Sequence, residues 1–432
     1  MSEHNWTEVA IRRARHWLIG PESRLQFHAV ASYAPDLHGS AGLYIHVPFC
    51  RSLCPYCPYL RQGYRAGLVR QYLAALTRET QWYASRLPGL RATSVYFGGG
   101  TPTVLDESLE VVVEQVTRLF APTGPFCIET NPADLTAEKV RLLERTGFEA
   151  VSLGVQSFDQ STLNRIGRNY TAAHADEALR WLVRSSIPSV NVDMMFAIPG
   201  QTADSWQSDI ERAAASGATQ ITAYPLFTFP YSSAGRMLAL RKLQMPPLGA
   251  RRRMYYQLYD TLSELGYSRD SVWSFSRPGN RHSFSSVTRD RYLGFGPGAG
   301  SFSGSQFTFN TFSLEEYSRS ASERGHAVAL AMPMPRHLQI LHDVYWRFYE
   351  TSVPIERHTE WLDYQLASLP NMSALLFGAR LLGLYRSNGE TLRLTRRGSF
   401  WLHWLQNYIA LPAVNTLWTE AKADAWPNEV SV

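Results

Sequence analysis

The chain has 432 residues, of which 45% are hydrophobic and 18% charged, so it can form two or three domains with apolar cores. No apolar run approaches the ~18 residues needed to span a bilayer. Residues 1–17 contain acidic side chains and no long apolar segment, which excludes a secretion signal. The net charge of +5 is scattered along the chain, which argues against nucleic-acid binding. We therefore expect a cytoplasmic monomer that binds neither membranes nor nucleic acid.

Short β-rich runs alternate with longer helical stretches over the first half of the chain. The predicted strands are Leu43–Phe49, Ser94–Phe97, Phe126–Glu129, Ala150–Val155, Ser189–Phe196 and Ile221–Leu226. The predicted helices are Arg70–Arg86, Asp106–Phe120, Thr136–Thr146, Thr171–Ser185 and Ala203–Ala215. This alternation is typical of a parallel sheet with right-handed crossovers, either in a partial barrel or in an open sheet.

Unusual residues lie at the carboxyl ends of five predicted strands and favour the barrel. They are a cysteine triplet, the glycine run 98–100, and the polar residues Glu129, Gln156 and Asp193. In TIM-like barrels this edge of the strands carries the active site. The sequence therefore predicts an α/β fold, namely a partial (β/α)6 TIM-like barrel.

The pattern changes after residue 230. Residues 228–250 predict a loop or lid with a short helix, and Arg251–Leu265 predicts a longer one. Further helices are predicted at Arg336–Glu350, Trp361–Leu369 and Met372–Leu384, then a hairpin near Leu392–Leu394 and a helix to about residue 409. We predict three parts: an N-terminal helical extension over 1–40, the barrel with lid and substrate loops over 41–305, and a smaller, mainly helical or winged-helix-like C-terminal substrate domain over 306–432.

Three of the four cysteines are clustered. Cys50, Cys54 and Cys57 form a C-x3-C-x2-C triplet directly after the first predicted strand. Thiolates at this spacing suit three irons of a [4Fe–4S] cluster, whose fourth iron would stay open for a ligand. The alternative is a zinc site, which needs a fourth ligand such as His46. Cys127 lies inside a predicted strand, where a small buried core residue is the simpler interpretation.

The triplet resembles the signature of radical S-adenosylmethionine (SAM) enzymes. This resemblance implies that SAM chelates the open iron and is cleaved by one electron to methionine and a 5′-deoxyadenosyl radical. Tyr56 matches the aromatic residue that lies against the adenine in this family. Six segments together resemble the oxygen-independent coproporphyrinogen III oxidase branch: residues 44–50, 97–103, 129–132, 154–158, 191–202 and 293–300.

Some members of that branch bind two SAM molecules, and the resemblance implies which residues contact them. The first SAM would contact the cluster and Tyr44, Tyr56, Gly99 and Glu129. The second would contact Gly100, Thr101, Gln156, Arg168 and Asp193. Phe227 is included among the cofactor contacts. From their chemistry alone, the glycines let a ligand approach the backbone closely, with their amides facing the amino acid end of SAM, and Arg168 can hold a carboxylate in a fork.

Three functions follow from the resemblance as alternatives. The leading expectation is a class C radical SAM methyltransferase or cyclopropanase, which turns the second SAM into a methylene radical that adds to an unsaturated carbon of a natural-product intermediate. The second is porphyrin chemistry, by decarboxylation of coproporphyrinogen or by haem-opening methylation. The third is a non-enzymatic haem chaperone. The oxidase's cysteine after the triplet is missing here, and only His282 remains of a chaperone element, which favours the first alternative.

We expect the substrate to enter between the barrel and the C-terminal domain. An aromatic wall is predicted from Tyr224, Phe227, Phe229, Tyr231, Trp273 and Phe275, although core packing is the commoner fate of such residues. His282 is a candidate proton acceptor. The cluster would take its electron from flavodoxin or ferredoxin.

Overall fold

The computed structural model describes residues 25–227, 229, 232–239, 244–282, 290–354 and 370–432. Its first half alternates strands and helices as predicted. The strands are β1 (Gln26–Ala29), β2 (Ser40–Val47), β3 (Phe49–Cys50), β4 (Gln62–Gly63), β5 (Arg91–Gly99), β6 (Phe126–Thr130), β7 (Ala150–Gln156), β8 (Ser189–Phe196) and β9 (Gln220–Pro225). The helices are α1 (Ala66–Arg86), α2 (Ser108–Phe120), α3 (Ala137–Thr146), α4 (Gln160–Arg165), α5 (Ala172–Val183) and α6 (Ala203–Ala215).

The second half contains further short strands and longer helices. The strands are β10 (Ser268–Arg269), β11 (Ser274–Ser276), β12 (Tyr292–Phe295), β13 (Gly300–Phe302), β14 (Gln306–Asn310), β15 (Val328–Pro333), β16 (Ser352–Pro354), β17 (Tyr385–Ser387), β18 (Thr391–Leu394) and β19 (Glu429–Ser431). The helices are α7 (Ser233–Ala239), α8 (Leu248–Glu264), α9 (Leu314–Arg324), α10 (Arg336–Tyr349), α11 (Pro370–Leu381) and α12 (Arg396–Ala423).

Six neighbouring strands form the parallel part of the sheet. β2, β5, β6, β7, β8 and β9 pair in parallel in this order. β12 also pairs in parallel with the free edge of β2. Because successive parallel strands are joined by helices, the carboxyl ends of all these strands meet at one edge. The predicted partial barrel of six parallel strands is confirmed.

The local sequence explains why these segments fold as they do. Every residue of β7 is buried, as expected of a parallel strand covered on both faces. α2 buries Leu109, Val112 and Val116 at helical spacing along one side, so this side packs on the sheet. The hydroxyl of Thr136 caps α3 by accepting from the Lys139 amide, and Gly147 ends the helix in a left-handed conformation.

The sheet continues across the predicted boundary at residue 305, because β14 and β15 extend it with antiparallel pairs. β1 pairs with β15 and with β19. The predicted helical extension over residues 1–40 is therefore wrong for Gln26–Ala29, whose backbone bonds are made to a distant strand. Residues 1–24 lie outside the described residues.

The C-terminal part, predicted to be mainly helical or winged-helix-like, combines a small sheet with helices. β16, β18 and β17 form a separate antiparallel sheet beside α10, α11 and α12. The predicted helix Trp361–Leu369 lies outside the described residues, and α12 extends to Ala423, well past the predicted end. Within the described parts of the chain, no helix is long and apolar enough to cross a membrane.

Candidate active site

A chamber of about 400 Å³ opens at the carboxyl ends of the parallel strands. It brings together nearly all of the residues that the sequence predicted for a site. Its lining includes Cys50, Cys54, Tyr56, Cys57, Gly99, Gly100, Thr101, Glu129, Gln156, Arg168, Asp193 and Phe227. Tyr44 and His282 are absent from the lining.

Cys50 ends β3, Cys54 and Cys57 lie on the loop that follows it, and all three thiols are free. The Thr101 hydroxyl donates to Cys50 Sγ at 3.5 Å, and Arg168 donates to Cys54 Sγ at 3.4 Å. Burial raises the pKa of Cys50 to about 11 and also raises that of Cys57. Among the described residues, no three His, Cys, Asp or Glu side chains already converge as a metal site. Three thiols on one loop are nevertheless the donor set that an iron–sulfur cluster requires.

His46 is not available as a fourth ligand to the triplet. Its Nε2 lies 2.9 Å from the Leu60 carbonyl, which can only accept, so Nε2 carries the proton of the neutral ring. Its Nδ1 then accepts from the Tyr44 hydroxyl at 2.9 Å. Burial lowers the pKa of His46 to about 4, which keeps the ring neutral. Tyr44 is therefore hydrogen-bonded to His46 and does not line the chamber. The zinc alternative loses its proposed ligand, because both ring nitrogens of His46 are already hydrogen-bonded.

The glycine run ends β5 beside the cysteine loop, and the amides of Gly99 and Gly100 already donate to groups of the protein. The Gly99 amide donates to Glu129 Oε2 at 3.2 Å, and the Gly100 amide donates to the Val47 carbonyl at 2.8 Å. A Cβ on Gly100 would lie 2.5 Å from the Phe49 carbonyl oxygen. Glycine is thus required here by the packing of two strand ends.

Two half-buried carboxylates, Glu129 and Asp193, line the chamber. Glu129 accepts from the Tyr96 hydroxyl at 2.5 Å, and Asp193 accepts from Ser152 and Asn191, each at 2.8 Å. Burial raises the pKa of Glu129 to about 7 and that of Asp193 to about 6. A ligand that donated from a hydroxyl or an ammonium would favour the ionised form of either group.

Arg168 and Gln156 supply polar groups to the chamber, and Arg168 lies next to the triplet through its contact with Cys54. The Arg168 guanidinium lies over the rings of Tyr56 and Tyr170, at 5.5 and 5.6 Å from the ring centres. Its Nε is buried and has no hydrogen-bond partner among the described residues. Gln156 has a φ of +69° at a break in the register of β7, a conformation that is costly for a residue with a Cβ. Its amide oxygen accepts from the Tyr224 hydroxyl at 3.1 Å.

The far wall is aromatic, in part as predicted. Tyr224, Phe227 and Trp273 line the chamber, joined by Tyr349 from the end of α10. Phe275 is fully buried outside the lining, and Phe229 is also buried elsewhere. Tyr231 lies outside the described residues.

His282 is not brought to the chamber. Its Nε2 lies 3.3 Å from Glu149 Oε2, and its amide donates to the Ser189 hydroxyl at 3.2 Å. Glu149 precedes β7 and Ser189 begins β8, so His282 lies at the amino ends of the strands, opposite the cysteine loop. This corrects its assignment as a proton acceptor for substrate in the chamber.

Several lining residues were not predicted. Asn131 donates to the Thr101 hydroxyl at 2.9 Å, which leaves that hydroxyl free to donate to Cys50. The Asp134 side chain is 3% exposed and forms ion pairs with Arg51 at 2.9 Å and with Lys139 at 2.7 Å. These two ion pairs fix the cysteine loop to the start of α3. Asn131 stands inside the 129–132 motif and was open to prediction, whereas no sequence pattern marks Asp134 or Tyr349.

Comparison with known proteins relates this chain to one superfamily and to one known fold. Residues 44–213 match the model of the Radical SAM superfamily. The fold is that of coproporphyrinogen III oxidase (HemN) from Escherichia coli, with a TM-score of 0.74 and 21% identity over 88% of this chain and 91% of that one. The comparisons thus relate residues 44–213 to the Radical SAM superfamily and give the whole chain a coproporphyrinogen-oxidase-like fold.

Two proteins of similar sequence indicate which kinds of radical SAM protein the chain resembles. The heme chaperone HemW of Bacillus subtilis (strain 168) is 28% identical over 288 residues, which are 65% of this chain and 76% of that protein. The anaerobilin synthase of Escherichia coli O157:H7 is 26% identical over 368 residues, 83% of this chain and 81% of that protein. These matches give no support to the class C methyltransferase or cyclopropanase expected from the sequence.

Proposed function

We propose that this protein is a radical SAM enzyme that acts on a tetrapyrrole of the haem or porphyrin type. The supporting observation is the extent of the similarity to anaerobilin synthase, which covers 83% of this chain. An alignment of that length extends well past residues 44–213 and necessarily includes Trp273 and Tyr349 on the aromatic wall. Aromatic faces of this kind suit a flat, conjugated substrate.

In this proposal, the thiols of Cys50, Cys54 and Cys57 hold the cluster. Tyr56, Gly99 and Glu129 would hold the first SAM beside it, with Tyr44 supporting them from behind. The bound cluster and SAM supply a 5′-deoxyadenosyl radical. Glu129 would accept hydrogen bonds from ligand hydroxyls, as its half-buried carboxylate already does from Tyr96.

A second SAM is proposed beside Arg168. The argument is the unused donor of Arg168, since a buried guanidinium N–H without a partner is costly unless a ligand accepts from it. Asp193 and Gln156 would add acceptors beside it, and Gly100 and Thr101 would complete the site. Phe227, which stacks with Tyr224 at 6.4 Å between ring centres, would shield this site from water.

Haem delivery without catalysis is the second candidate, because the B. subtilis relative is a heme chaperone. One contact weighs against a haem-binding role for His282 in the chamber: this side chain is paired with Glu149 at the other end of the barrel. Methylation of a natural product shares the two-SAM requirement, but the names of the relatives favour a tetrapyrrole.

The test is an anaerobic reaction of the reconstituted protein with SAM, a low-potential reductant, and haem or coproporphyrinogen III. We expect consumption of one tetrapyrrole, followed by its absorbance, together with formation of 5′-deoxyadenosine. SAM deuterated at its methyl group separates the chemistries: label in the product indicates methyl transfer, and unlabelled decarboxylated product indicates oxidase chemistry.

Two results would contradict the enzyme proposal. Tight stoichiometric binding of haem without turnover would favour the chaperone. A protein that neither binds nor consumes either tetrapyrrole, while it cleaves SAM, would direct the search to other unsaturated substrates.

A further inference from the structure

Arg61 is a cation of the chamber that the proposed function does not use. It follows Cys57 by four residues, lines the chamber, and donates from its guanidinium to the Cys54 carbonyl. Its Nε is buried without a hydrogen-bond partner in the described part of the chain. Arg61 therefore presents an uncompensated positive charge to the cysteine loop.

The position of Arg61 is fixed by the loop itself. Its hydrogen bond to the Cys54 carbonyl holds the guanidinium against the cysteine loop, and Arg61 shares the chamber lining with Cys50, Cys54 and Cys57. The charge of Arg61 therefore lies beside the thiols that would hold the cluster.

A second cation reaches the same loop from the C-terminal end of the chain. Lys422, in the last turn of α12, donates to the Pro58 carbonyl at 3.4 Å and lies over the Trp418 ring at 5.5 Å from its centre. The Trp418 ring in turn lies 6.0 Å from that of Tyr59 in the loop. Lys422 is exposed to solvent, unlike the Arg61 Nε, so its field is screened by water and salt.

We propose that the positive charge of Arg61, beside Cys54 and Cys57, raises the reduction potential of the bound iron–sulfur cluster. Lys422 adds a smaller, salt-sensitive contribution. Reduction adds one electron to the cluster and its thiolates. A cation held nearby stabilises the reduced form more than the oxidised form, and net charge and hydrogen bonding are known determinants of cluster potential. This inference requires the cluster of the radical SAM superfamily and is independent of the substrate.

The test measures the midpoint potential of the reconstituted cluster by a dithionite titration followed by electron paramagnetic resonance, without SAM or substrate. Arg61→Gln removes the charge, and Arg61→Lys keeps it. Lys422→Gln tests the second cation, and Arg65→Gln, at an exposed arginine outside the lining, is the matched control.

We expect Arg61→Gln to shift the potential to more negative values, with Arg61→Lys close to the parent and Arg65→Gln unchanged. Lys422→Gln should produce a smaller negative shift that disappears at high salt. Equal potentials for Arg61→Gln and the parent would overturn the proposal. Equal shifts of the potential in Arg61→Gln and Arg61→Lys would also overturn it, as would failure of Arg61→Gln to retain four irons. In either case Arg61 would act by holding the Cys54 carbonyl and not by its charge.

Discussion

The thiols of the chamber differ from the remaining cysteine in their surroundings. Cys50, Cys54 and Cys57 line the chamber, whereas Cys127 is buried in β6 beside Tyr96 and Ala150. Burial raises the pKa of Cys127 to about 12 and that of Cys50 to about 11, so its position outside the chamber, and not its acidity, separates Cys127 from the other three thiols.

Substituting Cys54→Ala should abolish retention of the cluster, because a three-thiol set has no spare ligand. Iron and sulfide analysis after anaerobic reconstitution measures this loss. Cys127→Ala is the control: it should keep the cluster and lower the free energy of unfolding by about 1 kcal/mol through the small cavity it leaves. Loss of iron in Cys127→Ala but not in Cys54→Ala would reverse the assignment.

Glu129 makes the stability of the cofactor-free protein depend on pH. Burial raises its pKa from 4.5 to about 7, so folding favours the protonated form. That contribution is fully present below pH 4.5 and is lost as the pH rises through about 7. Glu129→Gln, which cannot ionise, should therefore be more stable than the parent at pH 7, by about 1–3 kcal/mol.

Chemical denaturation of both proteins over this pH range tests the prediction. The stability difference should shrink toward acidic pH, where the parent carboxyl is protonated. A constant difference across the range would show that the Glu129 carboxyl is not the titrating group.

At the scale of the element, the end of β5 depends on a glycine. A Cβ at residue 100 would lie 2.5 Å from the Phe49 carbonyl oxygen and 2.8 Å from that of Val47, and neither backbone group can turn aside. Gly100→Ala should therefore displace the strand end and the adjacent cysteine loop, at a cost of about 1–3 kcal/mol.

Gly67 offers the matched control, since a Cβ there meets nothing within 4 Å in the first turn of α1. Gly67→Ala should be neutral or stabilising by up to about 1 kcal/mol, as alanine favours helix. Denaturation midpoints and iron content of both variants test the pair. Equal behaviour of the two alanines would contradict the packing argument at Gly100.

At the scale of the whole molecule, the chamber is closed by parts of the chain that are far apart in sequence. Tyr349 ends α10 in the second half of the chain, and its carbonyl accepts from the Val272 amide at 3.0 Å beside Trp273. The wall facing the cysteine loop therefore depends on the docking of the C-terminal part.

Tyr349→Ala should lower substrate turnover by about tenfold, equivalent to about 1.4 kcal/mol of lost contact. Formation of 5′-deoxyadenosine without substrate should change little, because that reaction would require the cysteine triplet and not the aromatic wall that Tyr349 belongs to. Phe377→Ala, at a side chain that is 64% exposed on α11, is the control for the same region and should leave both rates unchanged. Equal loss of both rates in Tyr349→Ala would indicate a disturbed fold and not a lost substrate contact.

The sequence predicted the cysteine triplet, the polar strand ends and the six parallel strands, because these features are local. Cysteine spacing fixes which thiols share a loop, and β-rich runs followed by helical patterns imply parallel strands. In a parallel sheet, the residues at strand ends must then share one edge. The cysteine triplet and the strand-end residues of the chamber lining were therefore accessible before the structure.

The tertiary structure decided what depends on contacts between distant segments. His282 lies on a segment whose path the sequence pattern does not define, and it runs to the amino ends of β7 and β8, where Glu149 pairs with it. The strand β1 replaced part of a predicted helix because its hydrogen bonds go to β15 and β19, which no local pattern indicates. Likewise, the Gly99 amide donates to the Glu129 carboxylate and the Gly100 amide donates to the Val47 carbonyl. These hydrogen bonds form only when the neighbouring strands come together in the barrel.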